Sequence, residues 1–261
     1  MNTLDKLKYK YNQDGFVAVI AGVLRQAANS LDGGKKQSFV NQPSKEFLSW
    51  IRMAVPGMLE PGNLSAMEYA VCNMPTGSPV VEIGSFCGLS SVIVSYLLEK
   101  HDKESVLFCC DKWEFEGQKL GMPLGDSKSV THDDYQSYVK ESYKRSMRTF
   151  ASCRLPFAIE CFSDEFFNLW GNNENVKDVF DRPIQLGGDI GFCFIDGNHT
   201  YEFARRDFEN TDRSLLPGGF ILFDDSADNS PWEVNRLTRE IAKGSTYDLV
   251  MKNPNYLFRK K

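Results

Sequence analysis

Five short runs of this chain are apolar but for Glu82 and Glu160, and four of them stop on a carboxylate or a glycine. They are Val80-Val81-Glu82-Ile83-Gly84, Val106 to Asp111, Phe157 to Cys161, Ile190 to Asp196 and Phe220 to Asp225. An exposed strand alternates apolar and polar residues; a strand buried on both faces does not. Helical patterns separate several of the runs: Leu89 to Leu98 after the first, and Tyr201, Ala204, Phe208 and Leu215 after the fourth. Continuous apolar strands alternating with helices predict a parallel sheet covered on both sides. Such a sheet gathers the strand ends at one edge, where open α/β folds bind ligands. Asp111, Asp196, Asp224 and Asp225 would all meet there.

The two ends of the chain differ from this middle. Tyr247 to Met251 and Tyr256 to Arg259 flank Asn253-Pro254-Asn255, which predicts a terminal hairpin and an antiparallel last strand. Before residue 77 the pattern is helical. Phe16, Val19, Ile20, Val23 and Leu24 share one helix face, Phe47, Trp50 and Ile51 another, and Ser65-Ala66-Met67-Glu68 has the form of a capping box. Pro217-Gly218-Gly219 is expected to end the helix that starts near Tyr201. The organisation expected is a helical extension over residues 1–76 and a sheet domain over 77–261. Residues 112–134 and 171–188 fit no regular unit and are expected as insertions that act as lids or binding loops.

The chain has 261 residues, of which 42% are hydrophobic and 25% charged, which excludes a largely disordered protein. A net charge of −5 argues against a nucleic-acid partner. The longest apolar run, Phe16 to Leu24, is far short of the roughly 18–20 residues that span a bilayer. Seven cysteines, an odd number without a C-x-x-C pair, sit mostly in apolar surroundings and read as reduced thiols of a cytoplasmic protein. His101, His132 and His199 have no zinc-like spacing to them.

The chemistry is concentrated in two places. In Glu82-Ile83-Gly84-Ser85-Phe86-Cys87-Gly88, Gly84 permits a tight turn and Gly88 a close ligand approach, ahead of a helix N-terminus that offers free N–H groups. The spacing is not G-x-G-x-x-G, and Glu82 suits a cationic ligand better than a pyrophosphate. Asp111 stands where a ribose diol is held, and Trp113 could stack on an adenine. A ligand-free turn and an ordinary strand-end acid are the plain alternatives. At the other place Asp196, Asp224 and Asp225 converge, and mutual repulsion is relieved by a bound cation or bound protons. Oxygen ligands suit Mg²⁺ or Mn²⁺. Asp224 and Asp225 reach one ion only if the strand has begun to turn. His199, three residues past Asp196, suits general-base work; packing on Tyr201 is its plain alternative.

Together these residues resemble the class I S-adenosylmethionine-dependent methyltransferases, nearest to macrocin-type and other sugar O-methyltransferases. The likeness is carried by Val81 to Ser91, by Phe194-Ile195-Asp196-Gly197-Asn198-His199-Thr200-Tyr201, and by Leu216-Pro217-Gly218-Gly219 through Asp224-Asp225. It implies a Rossmann-like α/β fold: a seven-stranded, mostly parallel sheet with an antiparallel last strand, helices on both faces and an N-terminal helical extension. It implies that Glu82, Gly84, Ser85 and Gly88 line the methionine part of the cofactor, with Asp196 at its edge. Asp111 would hold the ribose and Ser163 would lie beside the adenine. Asp196, Asp224 and Asp225 would bind Mg²⁺ or Mn²⁺, with Asp196 or His199 as the base. Asn198-His199-Thr200-Tyr201 departs from the subgroup's pattern, so the metal and the base stay open. The function implied is O-methylation of a small-molecule acceptor, a sugar or glycoside. The rivals are a nicotinamide-dependent oxidoreductase and a relative that keeps the fold without this chemistry. The N-terminal helices would be available for a homo-oligomer.

Overall fold

The computed structural model describes residues 45–261, Glu116 excepted. The readings made on Phe16 to Leu24 and on everything else before residue 45 lie outside the described residues. Seven strands form one sheet: β1 (Val80–Ile83), β2 (Leu107–Cys110), β3 (Phe157–Ile159), β6 (Ile190–Ile195), β7 (Leu215–Phe223), β8 (Tyr247–Lys252) and β9 (Tyr256–Lys260). Their order is β3-β2-β1-β6-β7-β9-β8. The first five are parallel to one another, and β9 runs antiparallel between β7 and β8. The order reverses between β1 and β6, and that switch point opens the crevice at the carboxyl edge.

Every residue of β1, β2 and β6 is buried. Burying one such aliphatic or aromatic side chain is worth roughly 1.5–3 kcal/mol. One face of the sheet, through Val80, Leu107, Phe192 and Phe220, packs on α1 (Lys45–Ala54), α2 (Pro61–Asn73), α3 (Leu89–Lys100) and α4 (His132–Phe150). The other, through Val81, Phe108, Cys193 and Ile221, packs on α5 (Ser163–Gly171), α6 (Tyr201–Ser214) and α7 (Val234–Lys243).

Four local expectations change. Helix α2 starts at Pro61, not at Ser65, because Pro61 supplies a pre-set first turn; Ser65 lies inside the helix and caps nothing. The capping box belongs to α4 instead. Thr131 Oγ1 accepts from the Asp134 N–H at 3.2 Å while the Thr131 N–H donates back to Asp134 Oδ2 at 2.8 Å. Pro217-Gly218-Gly219 does not end a helix: α6 stops at Ser214, and these residues lie within β7, with Gly218 at φ +83° and a register shift opposite Gly191. Residues 171–188 are not irregular. They form a two-stranded hairpin of β4 (Asn175–Lys177) and β5 (Pro183–Gln185), whose turn is closed by Asp178 accepting from the Arg182 guanidinium. The Val179 N–H donates to Ala158 O, so the hairpin turn meets β3 at the edge of the sheet.

All seven cysteines are free, five of them buried. Among the described residues no helix is long and apolar enough to cross a membrane.

Candidate active site

The carboxyl edge holds a cavity of about 570 Å³. Ser85, Phe86, Leu89 and Ser90 line one side, and Asp196, His199, Asp224, Asp225 and Trp232 another. The chain between α1 and α2, from Pro56 to Glu60, together with Arg52 and Pro61, closes the remainder. Of the helical residues before 60 only Arg52 borders the cavity, since Pro56 to Glu60 are not helical, and neither 112–134 nor 171–188 contributes to its lining.

The turn after β1 is fixed by close backbone packing. A Cβ on Gly84, at φ +80°, would lie 2.0 Å from the carbonyl oxygen of Asp196, so only glycine lets β1 and β6 close on each other here. Gly88 has a different reason from the one expected. A Cβ there would meet Met147 Cε at 2.6 Å and Tyr143 at 3.0 Å, so the glycine makes room for α4. Glu82 is fully buried beneath the turn and accepts from Ser85 Oγ, Ser91 Oγ and Cys109 Sγ. Burial holds its carboxyl above the usual range. It is absent from the cavity lining and braces the turn from behind.

Asp111 faces the same turn. Its Oδ2 accepts from the N–H groups of Ser85 and Phe86, both at 2.8 Å, and its Oδ1 from the Trp113 N–H at 2.6 Å. Burial raises its carboxyl, and those three bonds work against the rise. Trp113 is not a free stacking face: it is 2% exposed, packs on Tyr143 and donates its indole N–H to Phe86 O at 2.9 Å. Ser163 begins α5, half-buried, and its hydroxyl hydrogen-bonds Asp207. The aromatic left open at this edge is Phe162, 56% exposed with Lys112 Nζ 5.9 Å above its ring. The sequence reading did not single it out.

At the far side, Asp196, His199 and Asp225 each bring one ligand atom within 4.8 Å of the other two. His199 Nδ1 lies 3.2 Å from Asp225 Oδ2, and its ring packs 5.0 Å from the ring of Trp232. Asp225 reaches this position through a left-handed backbone, φ +50°, so the strand has indeed begun to turn. Burial pushes the Asp196 carboxyl well above the ordinary range, and Asp224 and Asp225 beside it add to that. Asp224 stands apart from the trio. Its Oδ1 accepts from Asn63 Nδ2 at 2.7 Å, from the Asp225 N–H at 3.0 Å and from Asn255 Nδ2.

The family model for the methyltransferase domain matches residues 81–226, from β1 to just past the end of β7. The chain belongs to this family. Its membership covers the glycine turn, Asp111 and both acidic strand ends in one domain. The calicheamicin methyltransferase CalS11 shares the fold at 16% identity and a TM-score of 0.50, over 76% of this chain and 77% of its own. TomG, an O-methyltransferase from Streptomyces achromogenes solved with S-adenosylmethionine, aligns at 16% identity and a TM-score of 0.49, over 83% of this chain and 90% of its own. The chain matches no curated protein. Trp232 lines the cavity, Asn63 and Asn255 bond Asp224 behind it, and Asp207 lies against Gly197; the sequence reading named none of the four, since none belongs to a motif. The Asn253-Pro254-Asn255 turn was the one available pointer to Asn255.

Proposed function

We propose that this methyltransferase transfers a methyl group from S-adenosylmethionine to a hydroxyl oxygen of a polyhydroxylated small molecule, a sugar or glycoside. The observation that carries the reading is the cavity that joins the Ser85–Ser90 turn to the Asp196–His199–Asp225 trio. The residues fit the cofactor. The N-terminus of α3 would offer N–H groups to the methionine carboxylate, with Ser85 and Ser90 beside it, and Asp111 would hold the ribose and Phe162 lie against the adenine. The bound sulfonium supplies the electrophilic methyl group. Acids along the same edge favour its positive charge.

The chain's own task is to hold an oxygen in line and to take its proton. His199 does the second. Asp225 at Nδ1 fixes the ring and its tautomer, which leaves Nε2 to accept the hydroxyl proton as the oxygen–methyl bond forms and the sulfonium becomes a neutral thioether. Asp196 accepts a hydrogen bond from a neighbouring hydroxyl. Trp232, 48% exposed, offers an apolar plane to the C–H face of a sugar ring. Pro56 to Pro61 keep water from the reacting atoms.

A second reading rests on the same trio. Asp196, His199 and Asp225 fit a divalent ion such as Mg²⁺ or Mn²⁺, which would acidify a hydroxyl that it binds. His199 would then be a ligand and not a free base. Methyl transfer to a panel of glycosides, with and without EDTA, separates the two. If His199 is the base, His199→Gln lowers kcat by about 10²–10⁴ and EDTA has no effect. If it is a ligand, EDTA abolishes transfer and Mn²⁺ restores it.

A further inference from the structure

We infer that Asp224 is the anchor of the site and not a ligand in it, and that Asn255 and Asn63 are positioning residues acting through it. The inference rests on the proposed function only where cation binding and methyl transfer are read out. The consecutive acids Asp224 and Asp225 look equivalent in sequence, but the structure separates their work. Asp225 is half-exposed and faces His199. Asp224 is 4% exposed, and one of its carboxylate oxygens is taken by three N–H donors.

Two of the donors come from distant parts of the chain. Asn63, fully buried, stands in the first turn of α2, and Asn255, 1% exposed, in the turn of the β8–β9 hairpin. Asn255 Nδ2 also donates to Asn63 Oδ1 at 3.1 Å, which closes a three-membered ring of side chains. The two segments are pressed together here. A Cβ on Gly62 would lie 1.7 Å from the carbonyl oxygen of Asn253.

The other end of Asn255 sets the backbone. Its Oδ1 accepts from the N–H groups of Ser226 at 2.9 Å and Ala227 at 3.1 Å. Asn255 therefore holds the residue before Asp225 by its side chain and the two residues after it by their backbone. Asp225 sits between these fixed points at φ +50°, a conformation unfavourable for a residue with a Cβ and sustained only when its surroundings impose it. The placement of Asp225 against His199 follows from the ring Asn63–Asp224–Asn255, not from a contact of its own with the sheet.

The donor and acceptor pattern gives a direct test. Asn255→Asp removes the donors that face Asp224 and sets two carboxylates against each other. Asp224→Asn added to it removes one of the two facing charges, while the new amide oxygen still accepts from Asn63 and Asp225. The three proteins to compare are Asn255→Asp, the double variant Asp224→Asn/Asn255→Asp, and Asp225→Asn. The readouts are thermal unfolding, Mn²⁺ titration by calorimetry, and methyl transfer. The expected result is a Tm loss of 10 °C or more in Asn255→Asp, with part of it recovered in the double variant. The double variant should also regain Mn²⁺ affinity and kcat at least fivefold over Asn255→Asp, whereas Asp225→Asn loses at least tenfold in one or both. No recovery of Tm overturns the ring. Recovery of Tm without recovery of Mn²⁺ binding and turnover makes the Asp224 carboxylate a ligand and overturns the anchor assignment. If the parent binds no Mn²⁺, the cation reading falls by itself, and Tm and turnover still decide the anchor.

Discussion

Replacing Asp207 by Asn should stabilise this protein, and by an amount that depends on pH. Asp207 stands on α6 under the Asp196–Gly197 turn, and a Cβ on Gly197 would lie 2.9 Å from its Oδ2. It is 2% exposed, and its Oδ1 has no hydrogen-bond partner. Burial, eased in part by the Ser163 hydroxyl, pushes its carboxyl up to about 7 from 3.8. A folded value above the unfolded one means that the native state binds the extra proton, so stability falls as pH rises from about 4 to 7 and is level above that. At 1.36 kcal/mol per unit, the full penalty is about 4 kcal/mol above pH 7, of which roughly 1.5 is already present at pH 5. Asn keeps the shape and removes the titration. Urea unfolding of both proteins at pH 5 and pH 8 should therefore show a stabilisation about 2.5 kcal/mol larger at pH 8. An equal effect at the two pH values, or a larger one at pH 5, would mean that Asp207 does not carry this buried proton and that the floor of the site is wetter than described.

Other outcomes follow from the same geometry. Gly84→Ala should cost at least about 3 kcal/mol, seen as a fall in Tm or a failure to fold, since the new methyl would lie 2.0 Å from Asp196 O in a left-handed backbone. Gly88→Ala should also destabilise, but Met147→Ala beside it should return part of the loss; a double-mutant cycle of Tm values with a coupling of about 1 kcal/mol is expected, and strict additivity would refute the contact. Trp113→Phe keeps the packing on Tyr143 but removes the donor to Phe86 O. It should cost about 1 kcal/mol and raise the KM for S-adenosylmethionine severalfold, with a smaller change in kcat.

Much of the fold can be read from the chain because its central strands are almost wholly apolar. Val80 to Ile83, Leu107 to Cys110 and Ile190 to Ile195 are buried on both faces, and only a covered parallel sheet uses such segments. The acids that end them could be placed at one edge for the same reason. The roles of single side chains were less legible. Glu82 and Trp113 belong to the motif region, but each is drawn inward by burial and by bonds that depend on neighbours in α3, α4 and β2. Asp224 and Asp225 are adjacent in sequence and differ only because Asn63 and Asn255, 161 and 31 residues from Asp224, claim one of them. The hairpin over residues 171–188 was hidden by the shortness of its strands, three residues each, and by their exposure, which leaves no apolar run to read.

The measurement closest to the central claim follows the methyl group itself. S-adenosylmethionine carrying a labelled methyl group is incubated with the protein and a panel of glycosides, in EDTA and in Mg²⁺, and the products are examined for label on oxygen. The account predicts labelled O-methyl glycoside, with stoichiometric S-adenosylhomocysteine, from the parent protein, and at least a hundredfold less from His199→Gln. Labelled product formed at the parent rate by His199→Gln in both EDTA and Mg²⁺ would contradict the role given to the Asp196–His199–Asp225 trio. Calorimetry that detects NAD but no S-adenosylhomocysteine would contradict the function itself.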